Sequence, residues 1–288
     1  MSIIKSLAAA AAFVISASFV PAQAQEVKQS TWDRIMQTKV LRVGVAPGEP
    51  WAMRDASSSE LPGGVKVGGE VWRGVAPAMG KTLADTLGVQ LQFVETTWGN
   101  AVSGLQANQF DVWFVMEPTP KRAMAIDFVP TTLLWHAMSF FSIKPLPVKT
   151  WAELNDPKYR VGVVVGVATD IFATAEVPKS KITRFQDIDQ QIAALQAGRI
   201  DAAVMLSPVA SSAYAKLKTG NVVIPKPIKA YPSSVSIPRE ADTRWKNFLT
   251  TSVSYLYDTG EVQEMFSQHM KFRGVDAATL PSMQRENW

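Results

Sequence analysis

The segment Thr119-Pro120-Lys121-Arg122 holds the residues of this chain best suited to binding an anion. Thr is a good helix N-cap and Pro suits the first helical position, so a helix is predicted to begin here. Free N–H groups at a helix start favour negative charge. The planar guanidinium of Arg122 can hold a carboxylate with two hydrogen bonds. Arg122 is therefore a candidate carboxylate ligand, and the alternative is a solvated arginine on a surface helix.

Two tryptophans at predicted loop positions, Trp51 and Trp98, are candidate walls for a ligand. An aromatic ring buries apolar area and can stack on planar or cationic groups. The chain has nine tryptophans, so some of them fill the core. Trp113, in the middle of a predicted strand, is expected to be one of these.

The predicted strands would bring such residues together, because ligands of open α/β sheets bind beyond the carboxyl ends of the strands. A strand predicted over residues 112–116 leads to Met116, Glu117 and Thr119. We predict that these three residues contact the ligand.

Later strand ends supply a second group of candidates. A strand from Tyr159 to Val163 leads to Gly166-Val167-Ala168-Thr169-Asp170, and another, from Ala202, ends at Leu206. The first segment is a predicted strand-to-helix turn whose exposed N–H groups suit an anion. Thr169 or Asp170 could instead act only as a helix cap, and both roles can hold together.

The chain contains one pattern twice. The run Val40–Val45 is echoed by residues 159–163, and Leu105–Val112 is echoed by Leu195–Ala202. Each pair predicts a buried strand followed later by a helix-to-strand unit, in the same order. Alternating strands and helices predict an α/β fold with a mostly parallel sheet. A last helical stretch, about Thr243–Lys271, has no counterpart in the second half.

Two segments rich in proline divide this plan into two lobes. The strand-like run 139–143 leads into Lys144–Pro147, and Pro225–Pro232 is a second connection. Two chain crossings would form a hinge, with the ligand cleft between the lobes. The predicted parts are lobe 1 at 26–138 plus 233–272, lobe 2 at 139–232, and an irregular, surface-packed tail at 273–288.

The first 24 residues have the order of a secretory signal peptide. Lys5 precedes the apolar stretch Leu7–Val20, and Ala22-Gln23-Ala24 is a cleavage signal. The apolar stretch is shorter than the about 20 residues that cross a bilayer. We predict that residues 1–24 are removed and that the mature protein is periplasmic.

Composition argues against several classes of function. The chain is 47% hydrophobic and 19% charged, as expected of a globular protein. It has no cysteine, which excludes disulfides and thiol nucleophiles. Its net charge of +4 includes no Lys/Arg run, so nucleic-acid binding is not expected. His136 and His269 are its two histidines, and we expect neither a metal site nor another cofactor.

The pattern resembles the family 3 extracellular solute-binding proteins, the polar amino acid receptors of ABC importers. The resemblance spans about residues 38–272, and its order and spacing are more specific than any single piece. It implies the type II periplasmic-binding-protein fold, with two lobes joined by a two-crossing hinge. It also implies a membrane permease of an ABC importer as partner, and we expect a monomer. The matching pieces are Leu41–Val45, Pro50-Trp51, Ala84–Val89, Phe93–Trp98, Gly104–Ala107 with Asp111, Thr119–Arg122, Ile126–Phe128, Arg160–Val163 with Gly166, and Gln196–Ala202.

The resemblance implies roles for individual residues. Arg122 matches the family arginine that clamps the ligand α-carboxylate. Trp51 and Trp98 match aromatic wall positions, and the turn after Gly166 matches a loop that gives N–H groups to the carboxylate. The expected ligand is a small polar molecule, an amino acid or a relative of one.

Two departures from the family pattern bear on the ligand. Glu117 is acidic where the family usually has a hydroxyl residue, and Leu206 lies near the position of an acid that holds the ligand ammonium. One hypothesis is that Glu117 takes over the cationic end of the ligand. A competing hypothesis is that Glu117 pairs with Arg122 and leaves a less charged site.

An exported enzyme on the same fold, such as a lyase resembling cyclohexadienyl dehydratase, is the alternative function. It would need a general acid in the cleft, and Glu117 or Asp170 could serve. A single acid is weak evidence for catalysis, because binding proteins use acids too. We therefore predict a binding protein and no enzyme.

Overall fold

The computed structural model describes residues 29–57 and 59–287. The predicted signal peptide, 1–24, lies outside the described residues. Within those two ranges, no helix combines the length and the apolar character that a membrane span requires.

The strands follow the predicted pattern at the positions of the repeat, and the strands predicted at Val40–Val45, 112–116 and 202–206 are confirmed. In chain order the strands are β1 (Val40–Val45), β2 (Met53–Arg54), β3 (Val65–Val67), β4 (Glu70–Arg73), β5 (Gln90–Glu95), β6 (Val112–Met116), β7 (Asp127–Ser142), β8 (Arg160–Val164), β9 (Lys181–Phe185), β10 (Ala202–Leu206), β11 (Asn221–Val223) and β12 (Ala230–Ile237).

The helices lie between the strands and after the last one. They are α1 (Thr31–Thr38), α2 (Val75–Leu87), α3 (Ala101–Gln106), α4 (Pro120–Ala123), α5 (Trp151–Leu154), α6 (Ala168–Glu176), α7 (Ile188–Gln196), α8 (Ser207–Leu217), α9 (Arg244–Asp258) and α10 (Glu261–Phe272), with short 3-10 helices at Trp98–Asn100, Ala277–Thr279 and Arg285–Asn287.

One large sheet runs through the described part of the chain, in the order β5-β1-β6-β12-β7-β10-β8-β9, with β11 also paired to β7. Strands β5, β1 and β6 are parallel and form the first half-sheet. Strands β10, β8 and β9 are parallel and form the second half-sheet. Strands β7 and β12 are antiparallel to their neighbours and join the two half-sheets.

Strand β7 changes partner midway along its length. It pairs with β12 from Asp127 to Ala137 and with β10 from Met138 to Phe141. The change of partner falls inside an extended strand, next to the predicted lobe boundary at 138/139 and before the segment Lys144–Pro147. The backbone stays extended because a new ladder partner takes over where the old one ends. Strand β12 begins at Ala230, directly opposite Ala137.

The repeated sequence has a physical basis in both half-sheets. In the first, the backbone and side chain of Arg42 donate to the carboxylate of Asp111, which also pairs with Arg34. In the second, Arg160 donates to Asp201 in the same way. Asp111 ties β1 to the turn before β6, and Asp201 ties β8 to the turn before β10. The two carboxylates therefore fix the helix-to-strand unit in the same register in both half-sheets.

The glycine of each repeated strand permits a close approach. A Cβ added to Gly44 would lie 2.6 Å from the ring of Phe110, and one added to Gly162 would lie 2.4 Å from Cδ1 of Ile200. Both contacts are shorter than real Cβ contacts. Phe110 and Ile200, the large residues shortly before β6 and β10, therefore pack directly against the backbone of these two glycines.

The last helical stretch, predicted at about Thr243–Lys271, consists of two helices, α9 and α10. The chain turns at Gly260, whose φ of 79° is in the left-handed region, and α10 follows. The tail after α10 is largely irregular, as predicted, yet it does not stay on the surface throughout. Met283 is fully buried, and its carbonyl accepts a hydrogen bond of 2.8 Å from the backbone N–H of Trp135 in β7.

Candidate ligand-binding site

The carboxyl ends of β6 and β10 converge on a short segment of β7, His136–Met138. Leu206, the last residue of β10, pairs with Met138. The hydroxyl of Ser207 accepts a hydrogen bond of 3.2 Å from the N–H of Ala137. Oε1 of Glu117, just after β6, lies 3.6 Å from Nε2 of His136. The structure thus brings Glu117 and Leu206, predicted from different halves of the sequence, to the same part of the joining strand.

Arg122 has a guanidinium that is only half engaged. Its Nη1 donates to Oε2 of Glu117 at 2.8 Å and to the carbonyl of Glu117 at 3.0 Å. Among residues 29–57 and 59–287, Nε and Nη2 of Arg122 make no hydrogen bond, and 37% of the side chain is exposed. The Nε–Nη2 edge has the geometry that holds a carboxylate with two parallel hydrogen bonds. Of the two hypotheses for Glu117, the structure contains the pairing with Arg122.

The helix predicted to start after Thr119 is present but very short. The Thr119 hydroxyl caps it by accepting from the N–H of Arg122 at 3.3 Å, and Pro120 is its first residue. Because α4 comprises only four residues, it has little dipole to offer an anion. The capacity of this segment to bind an anion rests on the guanidinium of Arg122.

A strained residue precedes Glu117. Val115 has a φ of 62°, in the left-handed region, which is an outlier for a β-branched residue. The ladder between β6 and β12 shifts register at this point, between Ser234 and Ser236. Val115 is buried, so packing holds a conformation that costs on the order of 1–3 kcal/mol. The kink redirects the chain that carries Glu117.

Met116 is buried, and its sulfur lies 3.6 Å from the hydroxyl of Ser236. It packs in a core cluster with Trp113 and Ile126. Because Met116 is only 5% exposed, little of its surface is available for the predicted contact with a ligand.

His136 is a member of the site that sequence reasoning did not select. Its ring has no exposed surface, and neither nitrogen has a hydrogen-bond partner among the described residues. Burial lowers the pKa of His136 to about 4, and the charge of Glu117 opposes this only in part. The ring is therefore neutral near pH 7. The feature that could have indicated His136 as a site residue was its position in a joining strand, opposite Tyr231 of β12.

The two predicted tryptophan walls differ in exposure. Trp98 is 39% exposed and stacks edge-on against Trp113, with ring centroids 5.3 Å apart. Trp51 is 5% exposed and lies behind the site, its ring 6.4 Å from that of His136. Part of the Trp98 ring therefore faces solvent, whereas the Trp51 ring is buried beside that of His136.

Glu49, close to Trp51, is held by the far end of the chain. Arg273 donates from Nε to Oε2 of Glu49 at 2.7 Å, and Nε2 of His269 lies 3.3 Å from the same oxygen. Burial raises the pKa of Glu49, but the His269 and Arg273 side chains outweigh burial and lower it to about 2. This carboxylate anchors α10 and the tail beside the strand end.

The turn after β8 is organised by Asp170. Oδ2 of Asp170 accepts from the N–H of Gly166 at 3.0 Å, and Oδ1 pairs with Nε of Arg184 at 2.9 Å. The N–H of Gly166 donates to Asp170 and is therefore not free to bind an anion. The sequence predicted that the N–H groups of this turn would be exposed. Asp170 lies in the first turn of α6, whose N-cap is Val167 without a side-chain hydrogen bond, so the cap role that the sequence left open for Asp170 is not seen. The N–H groups of Ala168 and Thr169, at the start of α6, keep no partner within the helix.

The turn after β8 exposes apolar side chains, whereas Gln186 and Asp187, which follow β9 at the same edge, are exposed and polar. Val165 is 43% exposed and Val167 is 39% exposed. Leu206 is partly exposed and Thr169 is buried. In the two described ranges, no group of three or more His, Asp or Glu side chains could hold a metal ion.

Comparison with known proteins gives a fold, and a match to one family over part of the chain. The model of the bacterial extracellular solute-binding proteins, family 3, matches residues 41–144. An ancestral cationic amino acid solute-binding protein is 28% identical and superposes with a TM-score of 0.70, over 84% of this chain and 100% of that one. None of the curated proteins matches.

Two further solved structures are similar. An ancestral amino acid-binding protein described as a precursor of cyclohexadienyl dehydratase is 27% identical, with a TM-score of 0.69 over 84% of this chain and 100% of that one. An amino acid ABC transporter substrate-binding protein from Streptococcus pneumoniae, bound to L-arginine, is 23% identical, with a TM-score of 0.70 over 84% of this chain and 98% of that one.

The two half-sheets joined by β7 and β12 define a type II periplasmic-binding-protein fold, as the sequence predicted. Residues 41–144 match the family 3 extracellular solute-binding proteins, so the first part of the chain is similar to that family.

Proposed function

We propose that this protein is the periplasmic receptor of an ABC importer and that it captures an amino acid, or a small molecule resembling one. In this proposal residues 1–24 are a cleaved signal peptide, the mature protein is a monomer, and its partner is the membrane permease of the importer. The lobes are residues 26–138 plus 233–272 and residues 139–232.

The half-engaged guanidinium of Arg122 is the observation that carries this proposal. Glu117 holds Nη1 at 2.8 Å and leaves the Nε–Nη2 edge unpaired among the described residues. A ligand carboxylate would dock on that edge without displacing Glu117. Glu117 thereby acts as a positioning residue that fixes the plane of the guanidinium before the ligand arrives, which reduces the ordering cost of binding.

Closure of the lobes would complete the site. The ligand binds first at Arg122 and Trp98, and the turn at Val167–Thr169 and Leu206 then move onto it. Strands β7 and β12 are the connections that would bend. Contacts that the ligand makes with both lobes shift the population towards the closed form. Small-angle scattering of the protein with a bound ligand should show a smaller radius of gyration, and an unchanged radius would contradict closure.

Isothermal titration of Arg122→Gln tests the carboxylate clamp. Two charge-assisted hydrogen bonds are lost, so affinity for the best ligand of an amino acid panel should fall about 100-fold. Gln can still donate to Glu117, which limits disturbance of the site. Arg199→Ala is the control, because Arg199 is exposed in the turn that precedes β10, away from its carboxyl end. Unchanged affinity in Arg122→Gln would contradict the proposal.

Catalysis is the lesser candidate, and one of the relatives is described as a precursor of a dehydratase. The two acids considered for it each have an arginine partner, Glu117 with Arg122 and Asp170 with Arg184. Neither is free to protonate a leaving group as a general acid must. We expect no product when the protein is incubated with prephenate or arogenate, as followed by chromatography. Turnover would replace the receptor proposal with an enzyme.

A further inference from the structure

Four carboxylates at the sheet edge that carries the site are paired with arginines. Asp187, which follows β9, instead caps α7 and accepts hydrogen bonds from Gln190. Each acid at or just after the carboxyl end of β1, β5, β6 or β8 faces an arginine in the described structure. The pairs are Glu49 with Arg273, Glu95 with Arg54, Glu117 with Arg122, and Asp170 with Arg184. No acid follows the end of β10, where Leu206 and Ser207 stand.

At these four acids a cationic ligand side chain would have to compete with an arginine. Glu117 holds Arg122 through Oε2, and its Oε1 lies 3.6 Å from the buried, neutral ring of His136. At Asp170 the displaced groups would include the N–H of Gly166 as well as Arg184. A ligand cation placed beside an arginine that remains would be repelled by it.

Exposed apolar side chains stand at the carboxyl ends of strands in both halves. Trp98 on the first half and Val165 and Val167 on the second are each exposed by about two fifths, and Leu206 adds a partly exposed side chain. We call these four residues the apolar rim. Exposed apolar side chains at strand ends gain stability when a ligand removes them from water, in proportion to the apolar area buried.

We infer that the ligand of this protein is a carboxylate with an uncharged, apolar aliphatic or aromatic side chain, and not a cationic amino acid. The inference rests on the proposed function, because it assumes that Arg122 holds the carboxylate. The carboxylate docks on the free edge of Arg122, and the side chain fills the space between Trp98 and the valines of the apolar rim. The similar proteins described as binding cationic amino acids or L-arginine differ from this protein in that respect.

Isothermal titration of the purified protein, refolded to remove carried ligand, tests the inference. The probes are leucine, phenylalanine and 3-phenylpropanoate against lysine, arginine and glutamate. At least one of the first three should bind about tenfold or more tighter than lysine and arginine. Equal or tighter binding of lysine or arginine would overturn the inference while leaving the receptor function intact. Binding of none of the six would remove the proposed function itself.

Leu206→Asp and Leu206→Asn form a matched pair at the apolar rim. Position 206 is the N-cap of α8, and Asp and Asn are both good N-caps, so both variants should fold. Both should weaken binding of the apolar ligand about tenfold. Only Leu206→Asp should strengthen lysine binding, because it supplies the missing unpaired acid. Unchanged affinities in both variants would show that Leu206 does not face the ligand and would overturn the inference.

Discussion

Oε1 of Glu117 lies 3.6 Å from Nε2 of His136, and the imidazole ring has no exposed surface. The other oxygen of the same carboxylate holds Arg122. Glu117 therefore stands between a cation that faces the cleft and a neutral ring that belongs to the joining strand. Because Glu117 contacts both residues, the orientation of Arg122, the proposed carboxylate clamp, depends on β7. Strand β7 is one of the two strands that would bend when the halves move.

His136 should make stability depend on pH. Its pKa is 6.5 in the unfolded chain and about 4 in the folded protein. Between those values the unfolded chain binds a proton that the folded protein does not, so stability is full above pH 6.5 and falls as pH drops towards 4. The loss from this group is on the order of 3 kcal/mol. Urea unfolding of the wild type and of His136→Gln between pH 4 and pH 7 measures it.

The variant should lose less stability than the wild type across that range, since glutamine does not titrate. Gln196→Ala, an exposed substitution that keeps His136, is the control and should retain the wild-type dependence on pH. If the free energies of unfolding of the wild type and of His136→Gln changed equally with pH, His136 would be protonated equally in the folded and the unfolded protein. That result would contradict the prediction.

The two repeated carboxylates should differ in their contribution to stability. The side chain of Asp111 is 1% exposed and pairs with two arginines, whereas that of Asp201 is 27% exposed and pairs with Arg160. Breaking a buried ion pair is costly, and an exposed one contributes little. We expect Asp111→Asn to lower the free energy of unfolding by about 3 kcal/mol and Asp201→Asn by about 1 kcal/mol or less. Equal losses in urea unfolding would contradict the difference in burial.

Gly162 and Ile200 should be energetically coupled. A Cβ at Gly162 would lie 2.4 Å from Cδ1 of Ile200, so Gly162→Ala should cost about 1–3 kcal/mol through overpacking. Ile200→Val removes that methyl group and should cost about 1 kcal/mol alone. In the double variant the loss should be smaller than the sum of the two, which a double-mutant cycle of urea unfolding measures. Additive losses would mean that the glycine is kept for another reason.

Trp98 should contribute to ligand affinity more than to folding. Its ring is 39% exposed, and Trp98→Ala removes an aromatic wall, so the affinity for the best ligand of the panel should fall about tenfold. Trp32→Ala is the control, because Trp32 packs on Phe248 at α1 and α9, outside the site. Titration calorimetry of both variants checks this. An affinity unchanged by Trp98→Ala would leave Arg122 without the proposed aromatic neighbour.

Local patterns were enough to predict the elements that repeat. The strand at Val40–Val45 has the predicted bounds, and Gly88 ends α2 in the left-handed conformation that glycine adopts readily. The start of α4 at Pro120 also followed from the preference of Thr and Pro for adjacent positions. These features depend on neighbouring residues alone, so a single sequence contains the information.

The features that were missed depend on contacts between distant parts of the chain. The length of β7 follows from a change of partner from β12 to β10, which no local pattern specifies. The left-handed conformation of Val115 is imposed by packing and by the register of β12. The burial of His136 and Trp51 follows from the same assembly of the sheet. The sequence could place Glu117 near Arg122, but could not decide which partner it takes.

The partner change within β7 also bears on cooperativity. Because one strand contributes hydrogen bonds to both half-sheets, removing either half would leave β7 with an open edge of unpaired N–H and C=O groups. Open edges promote aggregation between chains. The two halves are therefore expected to melt in a single transition, and a fragment comprising either half alone is expected to aggregate rather than to fold as a stable monomer.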